Sequence, residues 1–293
     1  MPIPPEMLPP RKTSVFGLVR YLATAVVVGL TGCSRLEPVA EFGKNASAIA
    51  GYPDVADDYP ATLQRQRLYG DKSQAVSEEK IAARKRDTKR LRDAQKVLEA
   101  YARALGALAA SDLISYDKEI DALNHSLVDG NYATSGQTDL YAKVAKFGFQ
   151  LVTDIYRREK IRKLLVTYNP AIQRATRNLI AAVNDGYLVA LKDERDYFDK
   201  YVSGPANAIT GSEENREKLE GLQGIVGVVA QTQDEVLQKK KQNAEALVAG
   251  MRAFAQGHQQ LAENINKVSF KETVSVARDY ANQLRGILKS FRS

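Results

Sequence analysis

The chain has 293 residues, with 42 Lys and Arg against 35 Asp and Glu, two histidines and one cysteine. That length buries a sizeable core in one or two domains, and a single cysteine excludes any disulfide within the chain. The formal charge of +7 suits an anionic surface or polymer as a partner.

Arg11, Lys12 and Arg20 form a basic leader, Tyr21 to Leu30 is a short apolar run, and Thr31 and Gly32 are small. This is the three-part layout of a secretory signal peptide. The uncharged window from Tyr21 to Ser34 has 14 residues, short of the ~20 that a spanning helix needs. Leu30-Thr31-Gly32-Cys33 resembles the lipobox of bacterial prolipoproteins: an aliphatic residue, two small residues, then the cysteine. The resemblance covers about the first 34 residues and implies cleavage between Gly32 and Cys33. It also implies a diacylglyceryl group on the Cys33 sulfur and an acyl chain, such as palmitate, on its new amino group. Several chains on one residue anchor durably, where one holds marginally. Lipidation accounts for the lone cysteine. Ser34 in place of Asp resembles, in enteric-type sorting, an outer-membrane destination facing the periplasm. Nucleic acid is not expected as a partner of an exported, tethered chain. Met7 is an alternative start to Met1, because Met1 to Pro10 is proline-rich and adds nothing a leader needs.

The chain divides into a leader (1–32), a lipid-anchored tether segment with short helices (33–76) and a long-helix bundle (77–293). In the tether segment, Pro38 and the Tyr52-Pro53 and Tyr59-Pro60 steps predict short pieces. Phe42, Ala46 and Ile49 share one face of a short helix. The content of Tyr, Leu and Val predicts packing along the bundle, not a flexible linker. Ser77 followed by Glu78 and Glu79 predicts a helix start. Leu91, Ala94, Leu98, Tyr101 or Ala102, Leu105 and Leu108 then recur at three- and four-residue steps. A break at Ala110 to Asp112 separates them from Leu113, Tyr116, Ile120, Leu123 and Leu127, and Gly130 to Gly136 reads as a loop.

A helix from near Thr138 carries Leu140, Val144, Phe147, Leu151, Ile155, Ile161 and Leu165. Asn169-Pro170 predicts a sharp boundary. The next stripe is Ile172, Leu179, Val183, Tyr187, Leu191, Phe198 and Tyr201, ending in a loop from Gly204-Pro205 to Gly211. Ser212 caps the longest seam. It runs from Leu219 through Val226, Val229, Val236, Leu247, Met251, Phe254, His258 and Leu261 to Val268, about 75 Å if continuous. Lys240 and Asn243 lie on that seam near its middle. Ser269 and Glu272 match a capping box that opens a last helix to about Lys289. Strand-like alternation is nearly absent. The fold class is therefore all-α: an elongated antiparallel bundle of four to five long helices with coiled-coil-like seams.

Common catalytic signatures are missing. His125 and His258 sit at the ends of distant helices, without HExxH or CxxC, and no metal or cofactor is expected. His258, on an apolar seam, is expected to be a partly buried core residue. Asp117, Glu119 and Asp121 lack the ExxH partners of a bundle di-metal site and read as solvated surface. Asp54, Asp57 and Asp58, beside Tyr52 and Tyr59, lack a calcium loop's ligand spacing and read as a helix start, with binding as the alternative. Neither a phosphate-binding glycine loop nor a GxSxG elbow appears. Acid-before-base pairs such as Glu159/Lys163 and Glu235/Lys239 mark ordinary solvated faces. One stretch is lopsided: Lys80, Arg84, Lys85, Arg86, Lys89, Arg90 and Arg92 lie around a single acid, Asp87.

The expected function is a lipid-anchored cell-envelope lipoprotein acting as a helical interaction or scaffolding module, not an enzyme. It would hold membrane lipid through Cys33 and meet an envelope protein or anionic envelope polymer, with the basic stretch as the candidate patch. The alternative is a membrane-perturbing helical protein that inserts the apolar, glycine-dotted run from Gly221 to Ala230. Ten residues cannot span a bilayer as a helix, and the run fits the seam, so it is expected in the core. An enzyme of unknown type comes third.

Overall fold

The structure, a computed structural model, describes residues 36–69, 77–145, 153–208, 213–267 and 269–291. Among the described residues all regular structure is helical, and the expected all-α class holds. The helices are α1 (Glu37–Ala50), α2 (Asp54–Tyr69), α3 (Glu78–Ala109), α4 (Leu113–Asp129), α5 (Ser135–Ala145), α6 (Asp154–Ala181), α7 (Leu188–Ala208), α8 (Glu213–Asn264) and α9 (Phe270–Ser290). A π turn, Ala182–Tyr187, joins α6 to α7 without a break. The longest helix, α8, has 52 residues, or about 78 Å at 1.5 Å per residue. Gly32, Cys33, Phe147, Leu151, Ser212 and Val268 lie outside the described residues.

Local chemistry sets the ends. The Ser77 hydroxyl accepts from the Lys80 amide and opens α3, and Asp112 does the same for α4 from the Ser115 amide. Ser111 takes a left-handed φ of 68° in the break between them. Ser269 and Glu272 form both halves of the capping box at α9.

The core begins at Leu36. α1 lies antiparallel to α3 and against α9, with Phe42, Ala46 and Ile49 fully buried. Within the 33–76 segment, residues Leu36 to Tyr69 thus supply central packing. The α1–α3 crossing is closest at Gly43, where an added Cβ would lie 2.6 Å from both the Ala102 carbonyl oxygen and the Gly106 nitrogen. Backbone meets backbone there, so only glycine fits. The C-terminal half of α8 completes this end with α6 and α9.

Several expected boundaries are absent, and the helices continue through them. α2 runs through Pro60, α6 through Pro170, and α7 through Gly204-Pro205 to Ala208. Each proline removes a backbone donor. Around Pro170, however, Tyr168, Ala171 and Ile172 are buried, and Asn169 bonds to His258 and Gln259. The helix expected from Thr138 to Leu165 is two helices, α5 and α6. Leu140 and Ile155 of its stripe are exposed, while Thr138 and Ala145 point inward.

Candidate functional site

α2 and α3 run antiparallel, and the 3.6-residue repeat divides the basic stretch of α3 between two grooves. Arg84, Lys85, Lys89 and Arg92 line the first, a cleft of about 720 Å³ between α2 and α3, together with Lys96 and Arg67. Pro60, Leu63 and Ile81 give it an apolar lining, and its acids are Asp93 and Asp129. Arg86, Lys89 and Arg90 border a second cleft of about 790 Å³ with Arg174 and Asn178. Lys80 lines neither. The stretch is therefore the rib between two clefts.

Its cations differ in freedom. Arg84 is committed to structure: Nη1 donates to the Tyr59 carbonyl at 3.0 Å and to the Thr62 hydroxyl, and the guanidinium lies 4.3 Å from the Tyr59 ring centroid. Burial lowers its pKa from the ordinary arginine value, yet a guanidinium stays charged. Lys89 pairs with Asp93, Arg90 with Asp87 and Arg92 with Asp57 on the surface, where such pairs are weak and readily exchanged. Among the described residues Lys80, Lys85 and Arg86 have no ion-pair partner.

Behind α2 lies an ionic frame. The Asp58 carboxylate accepts from Arg65 Nη1 and Nη2 at 2.9 and 2.8 Å, from Lys240 Nζ at 2.8 Å and from the Tyr187 hydroxyl at 2.9 Å. Arg65 also donates to Glu194 at 2.6 and 2.9 Å, and Glu194 is fully buried. Burial alone would raise the Asp58 pKa; hydrogen bonds and charge from Arg65 and Lys240 outweigh it and hold the carboxyl below its ordinary value. Burial likewise opposes the Arg65 charge, but Glu194 and Asp58 raise its pKa overall. The frame clamps α2 to α7 and α8 and so fixes one wall of the basic groove. The π turn helps by delivering Tyr187 to Asp58, and Gly186 within it makes room for Tyr59: a Cβ there would lie 2.5 Å from the Tyr59 hydroxyl.

The expected helix start at Asp54 holds, and its acids have separate tasks. Asp54 accepts from Tyr52, Asp57 meets Arg92, and Asp58 centres the frame. Arg65, Glu194 and Tyr187 were not foreseen as partners. One signal was readable: Glu194 falls on the apolar stripe between Leu191 and Phe198, as Lys240 and Asn243 fall on the α8 seam.

His258 is fully buried, more than the partly buried core residue expected. Its Nδ1 sits 2.9 Å from the Asn169 side-chain oxygen and its Nε2 2.5 Å from the Tyr101 hydroxyl. Asn169 donates its own amide to Gln259, so its oxygen is the acceptor, His258 carries its proton on Nδ1, and Nε2 accepts from Tyr101. Burial holds the His258 pKa down to about 3. Such an imidazole is a neutral packing group.

From Gln223 to Ala230, the run expected in the core is not core. From Gln223 to Val236 no residue is buried, and Ile225 and Val228 are 63 % and 67 % exposed. Only Val226, Ala230, Gln233 and Asp234 are partly covered; the last two bond to Glu194 and Arg195 of α7. The seam expectation fails here because α7 alone accompanies this half of α8 with described contacts, whereas α1, α6 and α9 surround the other half. From Gln223 onward, the first buried residue of α8 is Leu237.

Among the described residues no group of three His, Cys, Asp or Glu side chains could hold a metal ion, and no helix is long and apolar enough to cross a membrane. The chain matches no protein-family model, no curated protein and no solved structure.

Proposed function

We propose that the chain is a lipid-anchored lipoprotein of the bacterial cell envelope, held at the outer membrane through acylated Cys33 and facing the periplasm as a helical interaction module. The observation that carries the interaction reading is the α2–α3 groove, where six cations converge against two acids on an apolar floor. The partner class that this charge favours is an acidic face of an envelope protein or an anionic envelope polymer. Each surface ion pair contributes little, but several together steer association, and salt weakens them. Photo-crosslinking residues at Lys85 and Lys89, used in the intact envelope, are expected to trap a partner that exposed Glu245 of α8 does not. Charge reversal at both lysines is expected to abolish the adduct from a reporter at Arg67. Equal adducts from groove and control positions would overturn the reading. The anchor has its own test: Cys33→Ala is expected to lose all incorporation of labelled fatty acid.

A second reading, membrane perturbation by the 221–230 run, is supported by the exposure of Ile225, Val228 and Val229. It is weakened by Glu213, Glu214, Arg216, Glu217, Lys218 and Glu220, which precede the run in α8. A hairpin entering a bilayer tip-first would carry those charges in ahead of the apolar residues, at several kcal/mol (~2.5–3.5 each at the bilayer centre). Leakage of dye-loaded anionic vesicles by the unlipidated chain would favour this reading; the interaction reading expects none.

A further inference from the structure

Only Ser34 and Arg35 separate Cys33 from Leu36, which is 2 % exposed and opens the core. Three residues span at most about 11 Å. An acyl anchor on Cys33 therefore holds the bilayer surface close to whichever end of the bundle Leu36 occupies.

The helix directions identify that end. Gly43 of α1 meets Ala102 and Gly106 of α3, and farther along Gln95 of α3 donates to the Tyr52 carbonyl at 2.8 Å. Leu36 thus enters beside the last turn of α3, and α4 begins just after it, at Leu113. Gly257 of α8 packs against Phe42 and Tyr280, and Gly250 against Ile49 and Ile287. α1 and α9 therefore run in one direction and α8 in the other, which puts the start of α9 and the end of α8 beside Leu36. The Arg158 guanidinium lies 4.2 Å from the Phe270 ring centroid, and Arg162 Nη1 donates to the Asn266 side-chain oxygen at 3.1 Å. The start of α6 is at this end too.

The two most exposed large apolar side chains among the described residues stand here. Ile114, in the first turn of α4, is 89 % exposed, and Ile155, in the first turn of α6, is 79 % exposed. Either one alone would be ordinary on a protein surface. Both belong to the end that the tether confines to the bilayer, where an apolar side chain can leave water at the boundary of headgroups and acyl chains. Charge does not decide the contact: Asp154 pairs with Arg157 and Glu159 with Arg162 at this end, so acidic lipid is not required. We propose that the end of the bundle where α1, α4, α6 and α9 begin rests on the membrane that holds the anchor, with Ile114 and Ile155 seated in its interface; this rests on the lipid-anchored reading above. In this orientation Lys85 stands about 36 Å along α3 from Ala109, so the α2–α3 groove is presented well clear of the bilayer. Val228 stands about 54 Å along α8 from Asn264, out of reach of the membrane that carries the anchor.

Cys33 is the one cysteine, and acylation occupies its sulfur, so an introduced cysteine is the only free thiol of the acylated chain. Ile114→Cys, Ile155→Cys, Lys85→Cys and Val228→Cys each carry an environment-sensitive dye at an exposed position, and circular dichroism should show the fold unchanged. The acylated full chain is placed in phosphatidylethanolamine–phosphatidylglycerol vesicles containing a lipid with a nitroxide just below its headgroup. Dye at Ile114→Cys and Ile155→Cys is expected to shift to the blue and to be quenched, and dye at Lys85→Cys and Val228→Cys to do neither. Absence of quenching at Ile114→Cys or Ile155→Cys, in a chain whose parent takes up no dye, would overturn the proposal and leave the anchor standing. Quenching at Val228→Cys would overturn it as well, because the bundle would then lie along the membrane or face it with the other end. Dye uptake by the parent would reveal a free Cys33 thiol; the anchor reading would then fail, and this proposal with it.

Discussion

Along α8, Ala244, Leu247, Met251 and Phe254 are fully buried, while Ile225, Val228 and Val229 are between 50 % and 67 % exposed. Both halves carry the same three- and four-residue spacing. The C-terminal half packs on α1, α6 and α9; the stretch from Gln223 to Val236 has α7 along one side and solvent along the other. Periodicity reports that a helix face needs company, and it does not report whether the same chain supplies it. An apolar face left open at a helix that extends from its bundle is a surface for association.

Perturbations should separate the two regions in a fixed order. The largest effect belongs to the body. Gly43→Leu would drive a side chain into the α3 backbone, and neither helix can yield without opening the α1–α3 crossing. Overpacking of this kind costs about 3 kcal/mol or more, and chemical denaturation should show that loss or no cooperative fold at all.

Next is the ionic frame, which ties the body to the root of the α7–α8 pair. Glu194→Ala would leave Arg65 half-paired and partly buried beside Asp58. Losing one member of a buried pair costs about 3–5 kcal/mol; solvent reaches Arg65, so about 3 kcal/mol is expected in a denaturant titration. A smaller loss than from an exposed pair such as Lys89–Asp93 would break the account of α2 as a clamped wall.

An intermediate effect comes from pH. His258 has a folded pKa near 3, below the ordinary ~6.5 of the unfolded chain. The unfolded state therefore binds the proton first. Stability from this group is complete above pH ~6.5 and declines as pH falls toward 3, by up to about 1.4 kcal/mol per unit. His258→Gln should flatten that decline whatever its effect at neutral pH, as urea titrations over this range would show. An unchanged slope would place the pH sensitivity elsewhere.

The smallest effects belong to the surfaces. Lys85→Glu with Lys89→Glu should change stability by no more than about 0.5 kcal/mol, while removing the groove's adducts. A large loss of stability would show that these lysines serve the body.

Much of this was legible in the sequence where the cause is local. Ser77, Asp112 and the Ser269–Glu272 pair announce helix starts because a cap needs one side chain and an amide three residues on. Pro60 and Pro170 misled because packing overrides the proline penalty, and the neighbours of Pro170 are buried. Lys240 and Asn243 stood out as polar residues on an apolar seam, but their partners Asp58 and Tyr52 lie more than 180 residues away. Nothing in the spacing connects them. The basic stretch was visible as composition; its division between two clefts required the position of α2 and of the α4–α5 turn. The exposed stripe was misassigned because its pattern is that of the buried one.

The two halves of α8 can be compared directly by placing the same charge in each and melting both variants in dilute solution, where association contributes least. Leu247→Asp buries an unpaired carboxylate among α1, α6 and α9, and the account predicts a loss of several kcal/mol (~3–5) or no cooperative melt. Val228→Asp meets water, and the account predicts a melt within about 0.5 kcal/mol of the parent. Equal, large losses from both substitutions would contradict it, because the N-terminal half of α8 would then be core.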